Sequence, residues 1–126
     1  MKTMNIGSKV KFFMEVHAQF KINHWQTKGF ARHNAFGGIY DELIELIDKF
    51  VEEAMGKYGR FVLEGDDKTL ELKNLSEIDM KSMIKTIREA LIQFTDEFDE
   101  TDTNLLNIRD EMLGEVNKLS YLLTLE

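Results

Sequence analysis

The chain has 126 residues, of which 43% are hydrophobic and 31% are charged, and its formal net charge is −7. This length suffices for one hydrophobic core and is short for two ordinary domains, so a single domain over residues 1–126 is predicted. Cysteine is absent, which excludes disulfides, zinc–thiolate and iron–sulfur sites, and thiol nucleophiles. Proline is absent as well, which permits long unbroken helices, and the composition therefore predicts an all-α protein.

The distribution of charge and hydropathy bears on partners and location. No apolar run approaches the ~18 residues of a membrane span, and the first residues lack the apolar stretch of a signal peptide, so a cytoplasmic protein without a membrane partner is predicted. Residues 1–40 hold six basic side chains and one acid, whereas the remainder is acidic. That basic surface is too small for extensive phosphate contacts, and we do not expect DNA binding.

The first predicted helix runs from about Ser8, taken as the N-cap, to about Lys28, and Gly29 ends it. Apolar and histidine side chains recur along it at three- and four-residue spacing, as on one face of a helix. These positions are Val10, Phe13, His17, Phe20 and His24.

The second predicted helix starts near Arg32 or His33 and runs to about Tyr58, with Gly56 and Gly59 as stop signals. A longer connection follows over residues 60–76. It mixes turn-forming residues with alternating leucines, which is typical of either a short hairpin or a packed crossover segment.

The third predicted helix begins at the capping-box pattern Ser76–Asp79 and continues to Phe98. The fourth opens at Thr101 or Asp102 and extends to the C-terminus. Two short connections and one long one predict a four-helix bundle with a single long crossover between the second and third helices. This arrangement is shared by ferritin-like folds.

The second helix carries an unusual row of acids. At ~100° per residue, four carboxylates fall within roughly a 60° arc beside the apolar stripe. The row is either a solvated acidic face or a surface that attracts cations. Its members are Asp41, Glu45, Asp48 and Glu52.

The three histidines call for separate readings. His17 lies on an apolar helix face and is predicted to be a hydrogen-bonded core residue. His24 and His33 close the same helix-to-helix connection, which should bring them near each other.

Helix geometry limits which acids these histidines can join. His33 and Asp48 are fifteen residues apart on one helix, which at 1.5 Å per residue is roughly 22 Å. One chain cannot place both on one metal ion, but two copies of the helix packed antiparallel about a two-fold axis can, twice per dimer. Nitrogen and oxygen ligands without thiolate suit iron, manganese or zinc.

These residues carry a resemblance to a known family. The stretch from His24 to Gly29, then His33, then Asp48 and Glu52 in D-x-x-x-E spacing, resembles the mini-ferritins of the Dps type. The likeness extends to the opening and the end of the last helix and covers most of the chain. It implies a ferritin-like bundle that forms dimers and often a dodecameric shell.

The resemblance also implies an activity and a ligand set. It implies oxidation of Fe²⁺ by peroxide or O₂ at a site between subunits, with storage of the ferric product and protection from oxidative stress. His24 and His33 would be ligands from one subunit, and Asp48 and Glu52 the ligands from its dimer mate. Trp25 would lie beside the site and intercept oxidising equivalents.

The sequence departs from the family at one ligand position. Many members have an acid one turn after the second histidine, where this chain has Gly37. Either Asp41 compensates, or the second iron position is weak. An alternative function therefore stays open, in which the chain is a ferritin-fold shell or interaction protein with a partial site that holds zinc or nothing.

Overall fold

The computed structural model describes residues 4–125. Three short 3₁₀ turns lie outside the α-helices, and no strand occurs within the described range. The predicted all-α fold with four helices is confirmed. The helices are α1 (Ile6–Gln26), α2 (Phe30–Tyr58), α3 (Met80–Gln93) and α4 (Thr103–Leu122).

Contacts between helix ends give the helix directions. Lys9, near the start of α1, forms an ion pair with Glu97, just beyond the end of α3. Gln26, at the end of α1, is hydrogen-bonded to Asn74, ahead of α3. Lys57, near the end of α2, binds Asp102 at the start of α4. Helices α1 and α4 therefore run in one direction, and α2 and α3 in the other.

The core is built from one apolar stripe of each helix, and aromatic rings fill one end of it. The rings of Phe13 and Phe50 meet edge to face with their centroids 5.2 Å apart. Phe94 lies 5.7 Å from Phe13 in a similar arrangement. Such edge-to-face pairs add to the stabilisation that burial alone provides. Farther along, the core continues through Leu43, Ile47, Ile84, Leu91, Leu105, Ile108, Met112 and Val116.

Helix α1 begins two residues before the predicted N-cap. Asn5 is the N-cap, and its side-chain oxygen accepts a hydrogen bond of 3.0 Å from the Ser8 N–H. Ser8 lies inside the first turn, because the amide oxygen of Asn5 already satisfies a free N–H group there. The prediction of Ser8 as the cap was therefore wrong.

Helix α3 is shorter than predicted at both ends. Asp79 is its N-cap and accepts hydrogen bonds from the N–H groups of Lys81 and Ser82. Ser76 lies instead in a preceding 3₁₀ turn. A further 3₁₀ turn over Phe94–Glu97 follows the helix, so the α-helical part ends before Phe98.

The connection between α2 and α3 contains two 3₁₀ turns and no strand, so the alternative of a hairpin is wrong for these residues. Polar side chains of α1 fix its second half by accepting hydrogen bonds from alternate backbone N–H groups. The donors and acceptors are Glu71 to Glu15, Lys73 to Gln19 and Leu75 to Gln26. The Gln19 side chain also donates to the Lys73 carbonyl. This segment therefore follows α1 from one end of the molecule to the other.

None of the helices in the described range is long and apolar enough to cross a membrane.

Lys9 is 2% exposed, yet it carries an amine into the packed end of the molecule. Burial lowers its pKa, although the Glu97 carboxylate 2.6 Å away opposes that shift. Removing one member of a buried ion pair is costly when the other charge stays buried, but the Glu97 side chain is 38% exposed and water can solvate it. We therefore expect Lys9→Met to change the free energy of unfolding by less than about 1 kcal/mol.

The matched variant Lys9→Ala removes the aliphatic stem as well and is expected to cost about 2–3 kcal/mol. Urea denaturation followed by circular dichroism measures both values. Equal losses in the two variants would show that the ion pair, and not the packing of the stem, is what stabilises this end.

Candidate metal centre

His24 and His33 lie face to face where α1 meets α2. Their ring centroids are 3.7 Å apart and the ring planes are inclined by 23°. The predicted proximity of the two histidines is confirmed. Each ring is hydrogen-bonded to the backbone of the other residue. His24 Nδ1 lies 2.6 Å from the His33 carbonyl oxygen, and His33 Nδ1 lies 2.9 Å from the His24 carbonyl oxygen.

This reciprocal pair of hydrogen bonds fixes the tautomer of both rings. A carbonyl oxygen only accepts, so each Nδ1 must carry the proton and donate it. In the neutral form, the lone pair of each ring is then on Nε2. Neither Nε2 forms a hydrogen bond to another described residue. A backbone carbonyl on one imidazole nitrogen is the usual way in which proteins prepare the other nitrogen as a metal ligand.

Gly37 makes room for the His24 ring. A Cβ atom at this position would lie 2.9 Å from His24 Cε1 and 3.0 Å from His24 Nδ1. The ring therefore packs on bare helix backbone, one turn after His33. Gly37 thus has a structural reason in this chain, because any side chain there would displace the His24 ring.

Gly37→Ala is expected to push the His24 ring away and to break its hydrogen bond to the His33 carbonyl. Gly38→Ala is the matched control, since a Cβ at Gly38 meets no atom within 4 Å. Both changes raise helix propensity by about 1 kcal/mol, but only the first brings a clash. We expect Gly38→Ala to stabilise the protein and Gly37→Ala not to.

Histidine ring NMR signals check the same pair of variants. The imidazole resonances of His24 should shift in Gly37→Ala and stay in place in Gly38→Ala. Identical His24 signals in both variants would contradict the described packing.

His17 is 6% exposed and lies two turns before His24 on α1. Its ring stacks on Tyr40 with centroids 3.8 Å apart, and its Nε2 lies 3.2 Å from the Tyr40 carbonyl oxygen. Burial lowers the pKa of this imidazole, against the opposing hydrogen bond to Tyr40. The prediction that His17 is a hydrogen-bonded core residue is confirmed.

Trp25 follows His24 directly and is 68% exposed. The Lys21 ammonium lies 5.4 Å from the Trp25 ring centroid and 4.4 Å from that of Tyr40, so one cation bridges two aromatic faces. Phe30, at the start of α2, is 78% exposed. Two large aromatic side chains thus reach solvent beside the histidine pair.

The four acids of the predicted row on α2, Asp41, Glu45, Asp48 and Glu52, all face solvent. Asp48 and Glu52 are one turn apart, and none of the four takes part in a hydrogen bond or ion pair with a described residue. Asp41 is eight residues beyond His33, about 12 Å along the helix. Within residues 4–125 of one chain, no three His, Asp or Glu side chains come together as a group that could hold a metal ion.

A comparison with protein families matches residues 24–123 to DUF5856, described as a family of unknown function. The chain belongs to DUF5856. The matched region begins at His24 and includes His33, Asp48 and Glu52. A curated relative of this DUF5856 chain is the "Uncharacterized 14.6 kDa protein in mobD-ri intergenic region" of Enterobacteria phage T4. It is 33% identical over 113 residues, which cover 90% of this chain and 83% of the relative. No solved structure matches.

Sequence reasoning missed the parts of this candidate site that are made by backbone. Residue types do not reveal which backbone carbonyls will act as acceptors, here those of His24 and His33. They also do not reveal the space that Gly37 provides. Tyr40 does leave a signal. Tyr40 follows His33 by seven residues, the same spacing that separates His17 from His24. The antiparallel helices therefore place His17 against the Tyr40 carbonyl and His24 against the His33 carbonyl.

Proposed function

We propose that this DUF5856 chain is a mini-ferritin that binds and oxidises Fe²⁺ at sites shared by two copies. The reciprocal hydrogen bonds of His24 and His33 carry the proposal. They hold two imidazoles side by side with both Nε2 lone pairs uncommitted, which is a prepared donor pair rather than a core contact. Imidazole and carboxylate ligands suit iron and, as the alternative, zinc.

The carboxylates of α2 supply the other half of the proposed site. Asp48 and Glu52 are exposed, one turn apart and without partners among the described residues. Because they lie roughly 22 Å or more from His33 along the same helix, a second copy must bring them to the histidines. Two α2 helices packed antiparallel, with His33 of one copy opposite Asp48 of the other, form two identical sites.

This register leaves Asp41 out of the ligand set. With His33 opposite Asp48, the two-fold axis passes beside residues 40 and 41, and each Asp41 lies about 10 Å along the helix from the nearest site. A second copy would also cover Trp25 and Phe30, whose large exposed apolar surface is typical of an interaction site.

The arrangement of the helices supports the ferritin-like interpretation. Helices α2 and α3 run in the same direction and are joined by the long crossover, as in ferritin-like bundles. Assembly of the proposed dimers into a hollow shell would enclose the ferric product. The net charge of −7 favours the accumulation of cations around such an assembly.

The proposed reaction is a transfer of electrons from iron to peroxide. Each of two Fe²⁺ ions gives up one electron, the O–O bond of one peroxide breaks, and two protons are taken up to leave two water molecules. The chain contributes neutral imidazoles and ionised carboxylates that hold the ions next to the oxidant. In this proposal Trp25, the residue after His24, would donate an electron when only one ferrous ion is present.

Titration of the metal-free protein with Fe²⁺ in the presence of peroxide, followed by ferric absorbance, tests the proposal. The wild type should oxidise ferrous ions faster than buffer does, and His33→Ala/Asp48→Ala should not. Equal rates for the two proteins would refute ferrous oxidation at this site.

Gly37 favours a second candidate, a ferritin-fold shell or interaction protein that holds zinc at the histidines. The His24 ring fills the position where a third ligand from the same chain would stand. Elemental analysis of protein purified without added metal separates the candidates. Bound zinc together with absent iron turnover would support the second candidate and contradict the first.

A further inference from the structure

The connection between α2 and α3 contains a short segment whose ends, Thr69 and Asn74, have extended backbone. Residues 69–74 are all exposed, and they lie between the 3₁₀ turns Gly65–Lys68 and Leu75–Glu77. Leu70 and Leu72 are each 43% exposed.

The hydrogen bonds to α1 define which side of the segment is free. In an extended chain, the N–H and C=O of one residue point to one side and those of the next residue to the other. Glu71 and Lys73 direct their N–H groups at α1 side chains, and Lys73 directs its C=O there too. The N–H and C=O groups of Leu70 and Leu72 therefore point away from α1, and they form no hydrogen bond to another described residue.

Such an edge is a template for pairing with another extended chain. We propose that the crossover segment pairs, as an antiparallel strand, with the same segment of a second copy of this chain. In this arrangement Leu72 lies opposite Leu72 of the second copy, and each donates its N–H to the other's carbonyl. The apolar side chains of Leu70 and Leu72 from both copies then lie on one face of the two-stranded ribbon.

The charges of the segment favour pairing with a second copy of the chain in this register. With Leu72 on the two-fold axis, Glu71 lies directly across from Lys73 of the second copy, and the pair occurs twice. Opposite charges directly across two strands are favourable. The neighbouring register, with Glu71 on the axis, would set two carboxylates against each other and is disfavoured. The segment is thus complementary to itself.

This contact uses the crossover beside α1 and none of the proposed iron ligands His24, His33, Asp48 and Glu52. It would therefore join chains whether or not α2 pairs. Its loss lowers the assembly size without removing iron ligands, which keeps the two proposals distinguishable.

A charge exchange tests the pairing. Glu71→Lys places lysine against lysine twice and is expected to weaken association through this edge at least about tenfold. Glu71→Lys/Lys73→Glu restores two opposite-charge pairs and should restore association. Neither side chain forms a hydrogen bond or ion pair within the described residues of one chain, so both variants should fold as the wild type does.

The readouts are the mass from sedimentation velocity over a range of concentrations and the hydrogen exchange of the Leu70 and Leu72 amides. In the wild type we expect both amides to gain protection as concentration rises, in the single variant to lose it, and in the double variant to regain it. Leu72→Pro, which deletes an N–H that is free in one chain together with the leucine side chain, should behave like the single variant.

Two results would overturn the proposal. One is a rate of hydrogen exchange at the Leu72 amide that does not depend on the concentration of the wild-type chain. That result is expected if an extended peptide of another protein, and not a second copy, binds this edge. The other is a double variant that stays as dissociated as the single variant.

Discussion

Replacing Asp102 by alanine is expected to lower the free energy of unfolding by about 3 kcal/mol. This carboxylate is 0% exposed at the start of α4. It accepts hydrogen bonds of 2.5 Å from Lys57 Nζ and 2.5 Å from the Tyr58 hydroxyl, and one of 3.0 Å from the Asp99 N–H. Its removal leaves the Tyr58 hydroxyl and the Asp99 N–H without this acceptor, and Lys57 loses its contact with the start of α4.

Urea denaturation of Asp102→Ala measures this loss, with Glu100→Ala as the control. Glu100 is an exposed acid two residues away, so its removal changes the net charge equally and should cost less than about 0.5 kcal/mol. A loss of similar size in both variants would show that charge, and not the buried carboxylate, is responsible.

The same carboxylate predicts a dependence of stability on pH. Burial alone would raise the pKa of Asp102, but the hydrogen bonds from Lys57, Tyr58 and the Asp99 N–H outweigh it and hold the pKa below its ordinary value. The stabilisation is therefore complete above the unfolded-state pKa of about 3.9 and is lost as pH falls through the lower folded-state pKa. Asp102→Asn cannot ionise, so its deficit relative to the wild type should be constant from pH 5 to 8 and shrink in stronger acid.

His33→Ala and Asp48→Ala are each expected to lower the rate of Fe²⁺ oxidation by roughly two orders of magnitude and to weaken ferrous binding. The first change removes one of the two prepared Nε2 donors. The second removes a carboxylate that forms no hydrogen bond or ion pair with a described residue of its own chain. Because Asp48 is exposed, the free energy of unfolding of Asp48→Ala should stay within about 0.5 kcal/mol of the wild-type value.

Asp41→Ala is the matched control for Asp48→Ala. Both acids are exposed on the same row of α2, but only Asp48 reaches a histidine pair in the proposed antiparallel arrangement. Stopped-flow measurement of ferric absorbance at several ferrous concentrations should give wild-type behaviour for Asp41→Ala. A deficit in Asp41→Ala as large as that in Asp48→Ala would favour a diffuse acidic surface over a defined site.

Periodicity in the sequence was sufficient for the elements of the fold. The spacing of apolar residues predicted four helices, and the glycines around residues 29 and 59 set the ends of α1 and α2 to within a few residues. The nearness of His24 and His33 followed from their positions on either side of a short connection. Each of these features depends on residues that are neighbours in sequence, which is why local patterns were enough.

The remaining features depend on contacts between distant segments. Lys9 reads as a surface residue, yet the packing of α1 against the end of α3 buries it. Gln19 holds the crossover through the backbone of Lys73, and a backbone acceptor has no residue type to recognise. In the sequence, Gly37 stands where an acidic ligand was expected, and only the structure shows that the His24 ring lies against it.

Mixing two inactive variants tests the shared site most directly. In a dimer of one His33→Ala chain and one Asp48→Ala chain, one site lacks both residues and the other is intact. Random exchange of chains makes half of the dimers mixed, so the mixture should recover about a quarter of the wild-type rate of ferrous oxidation, although each variant alone is inactive. A mixture that stays as inactive as its components, with exchange of chains verified by native mass spectrometry, would contradict an iron site built from two copies.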